Sequence, residues 1–199
     1  MKPDPSQIPP AVHLGWHDRG RLPHRDVGGL IQTVTFRLAD SLPQRVLDQW
    51  GRELEDKDRT EADRERRRRI EAYLDAGCGS CWLRDPGLAS MVEQSLLYFD
   101  HDRYRLRAWC VMPNHVHVMF DEWVGHPLHK VVWSWKSWTA KQANAQLGRS
   151  GAFWHREYYD RFIRDAAHLS NAIAYIEQNP VKARLVANST DWPWSSAHR

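Results

Sequence analysis

Polar and apolar residues alternate over residues 31–38 (IQTVTFRL), and the spacing predicts a β-strand with Val34, Phe36 and Leu38 on one face. The rhythm then becomes helical, because Leu88, Met91, Val92, Ser95, Leu96 and Phe99 recur three and four residues apart. Residues 105–111 (RLRAWCV) alternate again. A Met112-Pro113-Asn114 turn leads into a second alternating run, residues 115–120 (HVHVMF). Leu128, Val131, Val132 and Trp135 mark another helix reaching to about residue 147, and residues 157–164 (EYYDRFIR) are strand-like. Leu169, Ala172, Ile173 and Ile176 define a last helix, stopped by Pro180. Without that last helix the order is βαββαβ, the ferredoxin-like split arrangement. The expected fold is therefore α+β: an antiparallel sheet with helices on one face, plus a C-terminal helix.

Length and composition assign the elements to domains. A chain of 199 residues suits one domain. Residues 1–29, dense in Pro, Gly and His, are expected to form an extended arm, and residues 30–199 a single domain with a charged helical insertion at about 44–75. Within the insertion, residues 52–71 carry sixteen charged side chains, eight of each sign, and read as a solvated helix laced by i,i+4 pairs. No run of eighteen apolar residues occurs, and the start MKPDPSQIPP lacks a signal-peptide core, so a cytoplasmic protein without a membrane partner is expected. Three cysteines form no disulfide framework, and Cys78-Gly79-Ser80-Cys81 lacks the second pair or histidines that zinc needs.

Charge adds information only when read locally. The net value is +3, yet residues 103–184 hold twelve Lys/Arg against six Asp/Glu. Several of the eleven tryptophans stand beside these bases, among them Trp133 and Trp135 before Lys136, Trp138 before Lys141 and Trp154 before Arg156. Cations hold phosphates and rings stack on unpaired bases, so the pattern suits a nucleic-acid strand. Any single tryptophan also suits the core. Lys136, Arg156, Lys182, Arg184, Trp135 and Trp138 are the expected DNA contacts.

The candidate chemistry lies in His115-Val116-His117. A period of two places both imidazoles on one sheet face, with Val116 and Val118 turned to the core, and two adjacent imidazoles on an open sheet face are half of a divalent-metal site. Tyr175 and Asn179 are one helical turn apart, at the border of the Leu169/Ile173/Ile176 stripe. A tyrosine there can be half-buried and still offer its hydroxyl. The Asn179 amide oxygen can complete a metal site.

Five segments, WCVMPNHVHV (109–118), WKSWT (135–139), WHREYYD (154–160), YIEQNPVKA (175–183) and WPWSS (192–196), resemble in order and spacing the REP-associated tyrosine transposases. These are relatives of the single-tyrosine insertion-sequence transposases. The resemblance runs from about residue 30 to the end of the chain. It implies a ferredoxin-like domain of the His-hydrophobe-His (HUH) class, a Mg²⁺ or Mn²⁺ ion, and hairpin-forming, REP-type single-stranded DNA as substrate. By position it implies His115, His117 and Asn179 as metal ligands and Tyr175 as the nucleophile. It also implies transfer through a 5′-phosphotyrosyl intermediate, a nucleoid-associated location, and a monomer or homodimer. The 44–75 stretch is longer than in compact members of that family. Two other classes stand beside this one: a non-catalytic nucleic-acid-binding module on the same scaffold, which has no need of an imidazole pair, and a water-using phosphohydrolase, which would need carboxylate ligands close to that pair.

Overall fold

A computed structural model of the chain describes residues 28–199, together with the backbone of two short strands nearer the N-terminus. Those strands, β1 (Gly15–Asp18) and β2 (Pro23–Asp26), pair antiparallel as a hairpin. The expected extended arm is thus partly a paired element, and the rest of it lies outside the described residues. Its Pro- and Gly-rich composition gave no apolar alternation by which to find the hairpin.

The main sheet holds β3 (Ile31–Arg37), β4 (Tyr104–Val111), β5 (His115–Glu122) and β6 (Tyr159–Phe162) in the order β4-β5-β3-β6, all antiparallel. Helix α3 (Pro86–Leu97) connects back to β4, and α4 (Leu128–Gln146) joins β5 to β6. The elements therefore follow the βαββαβ sequence, interrupted after β3 by α1 (Gln44–Glu53) and α2 (Arg59–Asp75).

Each face of the sheet builds its own core. On one, Val34, Phe36, Val116, Val118 and Phe120 meet Leu88, Val92 and Leu96 of α3 and Val131, Val132 and Trp135 of α4. On the other, Ala108, Cys110, Met112 and Met119 meet α5 (Ala166–Glu177), whose Ile176 is buried. Asp85 caps α3, accepting from the Leu88 amide at 2.9 Å, and Asp165 caps α5, accepting from the His168 amide at 2.7 Å. The buried Glu122 carboxylate accepts from Gln32 Nε2 at 2.8 Å and from the Leu128 amide at 3.0 Å, a negative charge at the N-terminus of α4 where the helix dipole favours it.

The charged stretch forms two helices rather than one. Glu65 pairs with Arg68 and Arg69, as expected of a solvated face. At its C-terminal end Ile70 and Leu74 bury with Leu42 in a small third cluster, against Trp50, Tyr73 and Tyr159. This docking carries the end of α2 to the sheet face that bears the histidines.

The C-terminal WPWSS motif fastens α5 in place. The Trp194 carbonyl accepts from the Val111 amide at 2.9 Å, Trp192 Nε1 donates to the Val111 carbonyl at 3.0 Å, and Ser196 Oγ donates to Glu177 Oε1 at 2.9 Å. After Glu177 the chain makes one further turn, α6 (Asn179–Lys182), which Pro180 opens rather than ends.

Candidate metal and nucleophile site

His115 and His117 project from β5 onto the α5 side of the sheet. Strand pattern alone suggested an open face, but both rings are buried, at 1% and 4% exposure. Their Nε2 atoms lie 2.9 Å apart. The Nδ1 atoms face away to separate partners: Asn114 Oδ1 at 2.7 Å from His115, and Thr35 Oγ1 at 2.9 Å from His117. Thr35 stands directly across from His117 in the β3–β5 register.

These contacts determine the proton positions. Asn114 Nδ2 donates to the carbonyls of Leu74 at 3.1 Å and Cys78 at 2.9 Å, so its Oδ1 is an acceptor and His115 Nδ1 must carry the proton. His115 Nε2 is therefore a bare lone pair. Two bare lone pairs 2.9 Å apart would repel, so without metal His117 donates its Nε2 proton to His115 and its Nδ1 accepts from Thr35. Burial keeps both imidazoles neutral. It holds His115 well below the ordinary range, helped by His117, and His117 is pushed down to about 3, helped by the Lys182 charge. Neutral imidazole is the form that binds metals.

Tyr175 projects from α5 beside this pair, its ring centroid 5.7 Å from that of His117. It is half-buried, as its border position predicted. Lys182 Nζ lies 4.1 Å from the Tyr175 ring centroid, in cation–π geometry. Burial, with Glu71 and Asp75 nearby, raises the phenol above its ordinary range, so the hydroxyl keeps its proton. His117, Tyr175, Glu71, Arg67, Arg161 and Tyr159 line a cleft of about 360 Å³.

Asn179 is fully buried. Its Nδ2 donates to the carbonyls of Tyr175 at 2.7 Å and Ile176 at 3.4 Å, while Oδ1 is buried without a partner. Among the described residues no three His, Cys, Asp or Glu side chains form a ready metal cluster. The fit to a divalent ion rests on the two imidazoles, oriented by hydrogen bonds on their far nitrogens, and on the orphaned amide oxygen.

The other expected contacts divide. Arg156, Lys182 and Arg184 are exposed, and Trp138 is 48% exposed. Lys136 directs its ammonium to the carbonyls of His155 at 2.8 Å and Arg156 at 2.7 Å. Trp135 requires correction: it is 2% exposed, in the core, and donates Nε1 to Tyr104 Oη at 2.9 Å, so no base can stack on it. The more exposed ring on α4 is Trp133, at 67%. Sequence reasoning also missed Arg67, Glu71 and Arg161 around the cleft. Arg67 and Glu71 stood in a balanced charge run with nothing to separate them from a solvated face.

Residues 90–179 match the family "Transposase IS200 like", a span that contains both histidines, Tyr175 and Asn179. A Haemophilus influenzae protein named as a putative REP-associated tyrosine transposase is 29% identical over 110 residues, covering 50% of this chain and 62% of its own length. The Escherichia coli K12 REP-associated tyrosine transposase is 27% identical over 110 residues, covering 55% of this chain and 64% of its own. The chain thus spans less than two thirds of the length of these curated relatives. A solved REP-associated tyrosine transposase bound to a REP hairpin superposes with a TM-score of 0.56 over 90% of this chain and 84% of that one; at 19% identity the likeness is one of fold. In sequence the chain is similar to the REP-associated tyrosine transposases, in fold it is like a solved one, and its residues 90–179 match the IS200-like transposase family.

Proposed function

We propose that this protein is a single-tyrosine transposase or nuclease that cuts and rejoins single-stranded DNA beside REP-type hairpins. The observation that carries the reading is the convergence of two neutral imidazoles, Nε2 to Nε2 at 2.9 Å, beside a half-buried tyrosine that lines a cleft together with His117. A binding module needs no such pairing. His115, His117 and Asn179 would hold a Mg²⁺ or Mn²⁺ ion, which, when bound, offsets charge developing on the scissile phosphate.

The protein's own groups do the rest. Tyr175 attacks in line: its Oη–P bond forms as the P–O3′ bond breaks, the phenol releases its proton, and the departing 3′ oxygen takes one up. The product is a 5′-phosphotyrosyl link and a free 3′-hydroxyl. The link conserves the phosphodiester, so another 3′-hydroxyl can reverse the step without ATP. A phenol held above its ordinary pKa is a weak nucleophile, and the Lys182 ammonium over its ring favours the phenolate as the proton leaves. Arg67 and Arg161 line the cleft and Lys182 stands over the Tyr175 ring, positive charge suited to phosphates, and the exposed Trp138 suits an unstacked base.

The test uses end-labelled single strands flanking a hairpin, incubated with protein and Mn²⁺. One strand should be cut with the fragment on the 3′ side of the break joined to protein through its 5′-phosphate, and blunt duplex should stay intact. Equal cutting of blunt duplex, or cutting that leaves no protein-linked strand, would overturn the reading.

A further inference from the structure

The end of helix α2 offers the site one more oxygen. Asp75 is the last residue of that helix, and its Oδ1 is buried without a hydrogen-bond partner. That atom stands 3.9 Å from His115 Nε2, the bare nitrogen of the imidazole pair. We propose that Asp75 is a further ligand of the divalent metal, a carboxylate supplied by the charged insertion. The inference rests on the metal-dependent reading above and adds a residue to it.

Three physical arguments converge on Asp75. The first is distance. Hard divalent ions such as Mg²⁺ hold their ligands at about 2.0–2.1 Å, so two ligands of one ion stand between roughly 3 Å (adjacent) and about 4 Å (opposed). The imidazole nitrogens at 2.9 Å fit the adjacent spacing, and 3.9 Å lies within the range. The second is energetic. A carboxylate at a helix C-terminus faces the negative end of the dipole, and the last turn of α2 holds no basic residue. An unsatisfied buried carboxylate oxygen adds a desolvation penalty there, and a bound cation removes both costs. The third is positioning. Asn114 grips the Leu74 and Cys78 carbonyls on either side of Asp75, and the same side chain orients His115. One asparagine thus sets the imidazole and the carboxylate relative to each other.

The experiment measures Mn²⁺ binding to DNA-free protein by electron paramagnetic resonance of the free ion. Wild type should bind one Mn²⁺ per chain, His115→Ala should abolish binding, and Asp75→Asn should weaken it about tenfold or more with an unchanged far-ultraviolet spectrum. Asp75→Cys provides a readout that does not depend on the asparagine variant folding well. A thiolate ligand should favour Cd²⁺ over Mn²⁺ relative to wild type, whereas a purely structural Asp75 would leave that preference unmoved. Wild-type Mn²⁺ affinity in Asp75→Asn, or an unshifted metal preference in Asp75→Cys, overturns the assignment and leaves the histidine site standing. Absence of Mn²⁺ binding by wild type overturns the assignment together with the metal-dependent reading.

Discussion

Asn179 donates its amide nitrogen to the backbone carbonyl of Tyr175, one turn earlier, at 2.7 Å. The contact fixes which way the amide faces. Two carbonyls, of Tyr175 and Ile176, demand the NH₂ group, so Oδ1 is left unpartnered at the same turn as the phenol. Asn179→Asp should therefore fail, although a carboxylate is the stronger metal ligand in isolation. It would set an oxygen against two carbonyl oxygens and cost about 1–3 kcal/mol at neutral pH. Chemical denaturation checks this; an unchanged midpoint would show that the amide nitrogen does not hold the turn.

Asn114 joins the end of α2 to the imidazole pair through hydrogen bonds to Leu74, Cys78 and His115. Asn114→Leu should lower Mn²⁺ affinity about 10–100-fold, because His115 loses the acceptor that fixes its tautomer. Calorimetric titration measures the loss. Wild-type affinity in a folded variant would mean that the tautomer is set in some other way.

Two tryptophans three residues apart on α4 should behave oppositely. Trp135→Ala removes a fully packed ring and should destabilise the fold by about 3–5 kcal/mol. Trp138→Ala removes an exposed ring, so stability should hold while affinity for single-stranded DNA falls by about 1–3 kcal/mol. Thermal unfolding and fluorescence anisotropy separate the two, and equal effects of both variants on stability would contradict the burial difference.

A pH-sensitive group lies away from the cleft. Burial, with the Arg37 charge, pushes His155 down to about 4, below the ordinary value near 6.5 that it has in the unfolded chain. As pH falls, the unfolded chain takes up the proton first. The contribution of His155 to stability is therefore complete above about pH 6.5 and is lost progressively toward pH 4. His155→Gln lacks this linkage, so the stability advantage of wild type over the variant should shrink across that window. A constant difference between the two from pH 7 to pH 4 would count against it.

Much of this was legible because strands with one buried face impose strict alternation. The pattern of residues 31–38 and 115–120 located β3 and β5 and placed His115 and His117 on one face. Tyr175 and Asn179 were legible for the same reason, since a helical stripe leaves its border positions identifiable. Trp135 was misplaced among the DNA contacts because it neighbours Lys136, although it lies on the Leu128/Val131/Val132 stripe that packs into the core. The reach of α2 was not legible. Asp75 follows a run with eight charges of each sign, and no local pattern distinguishes a carboxylate facing solvent from one carried inward by Ile70 and Leu74. The cross-strand partner Thr35 depends on register, which no local stretch of sequence reveals.

The central claim is that one hydroxyl carries the 5′-phosphate, and mapping the covalent adduct tests it most directly. Protein, Mn²⁺ and a hairpin-flanked strand are incubated and digested, and the phosphopeptide is identified by mass spectrometry. The adduct should lie on Tyr175. Tyr175→Phe removes one oxygen from a half-buried ring, so it should still fold and bind DNA while adduct and cleavage both vanish. An adduct on Tyr159, which lines the same cleft, or on Tyr158 beside it would move the nucleophile to β6 or its approach. Cleavage by Tyr175→Phe at the wild-type rate, with no covalent intermediate, would contradict the account outright.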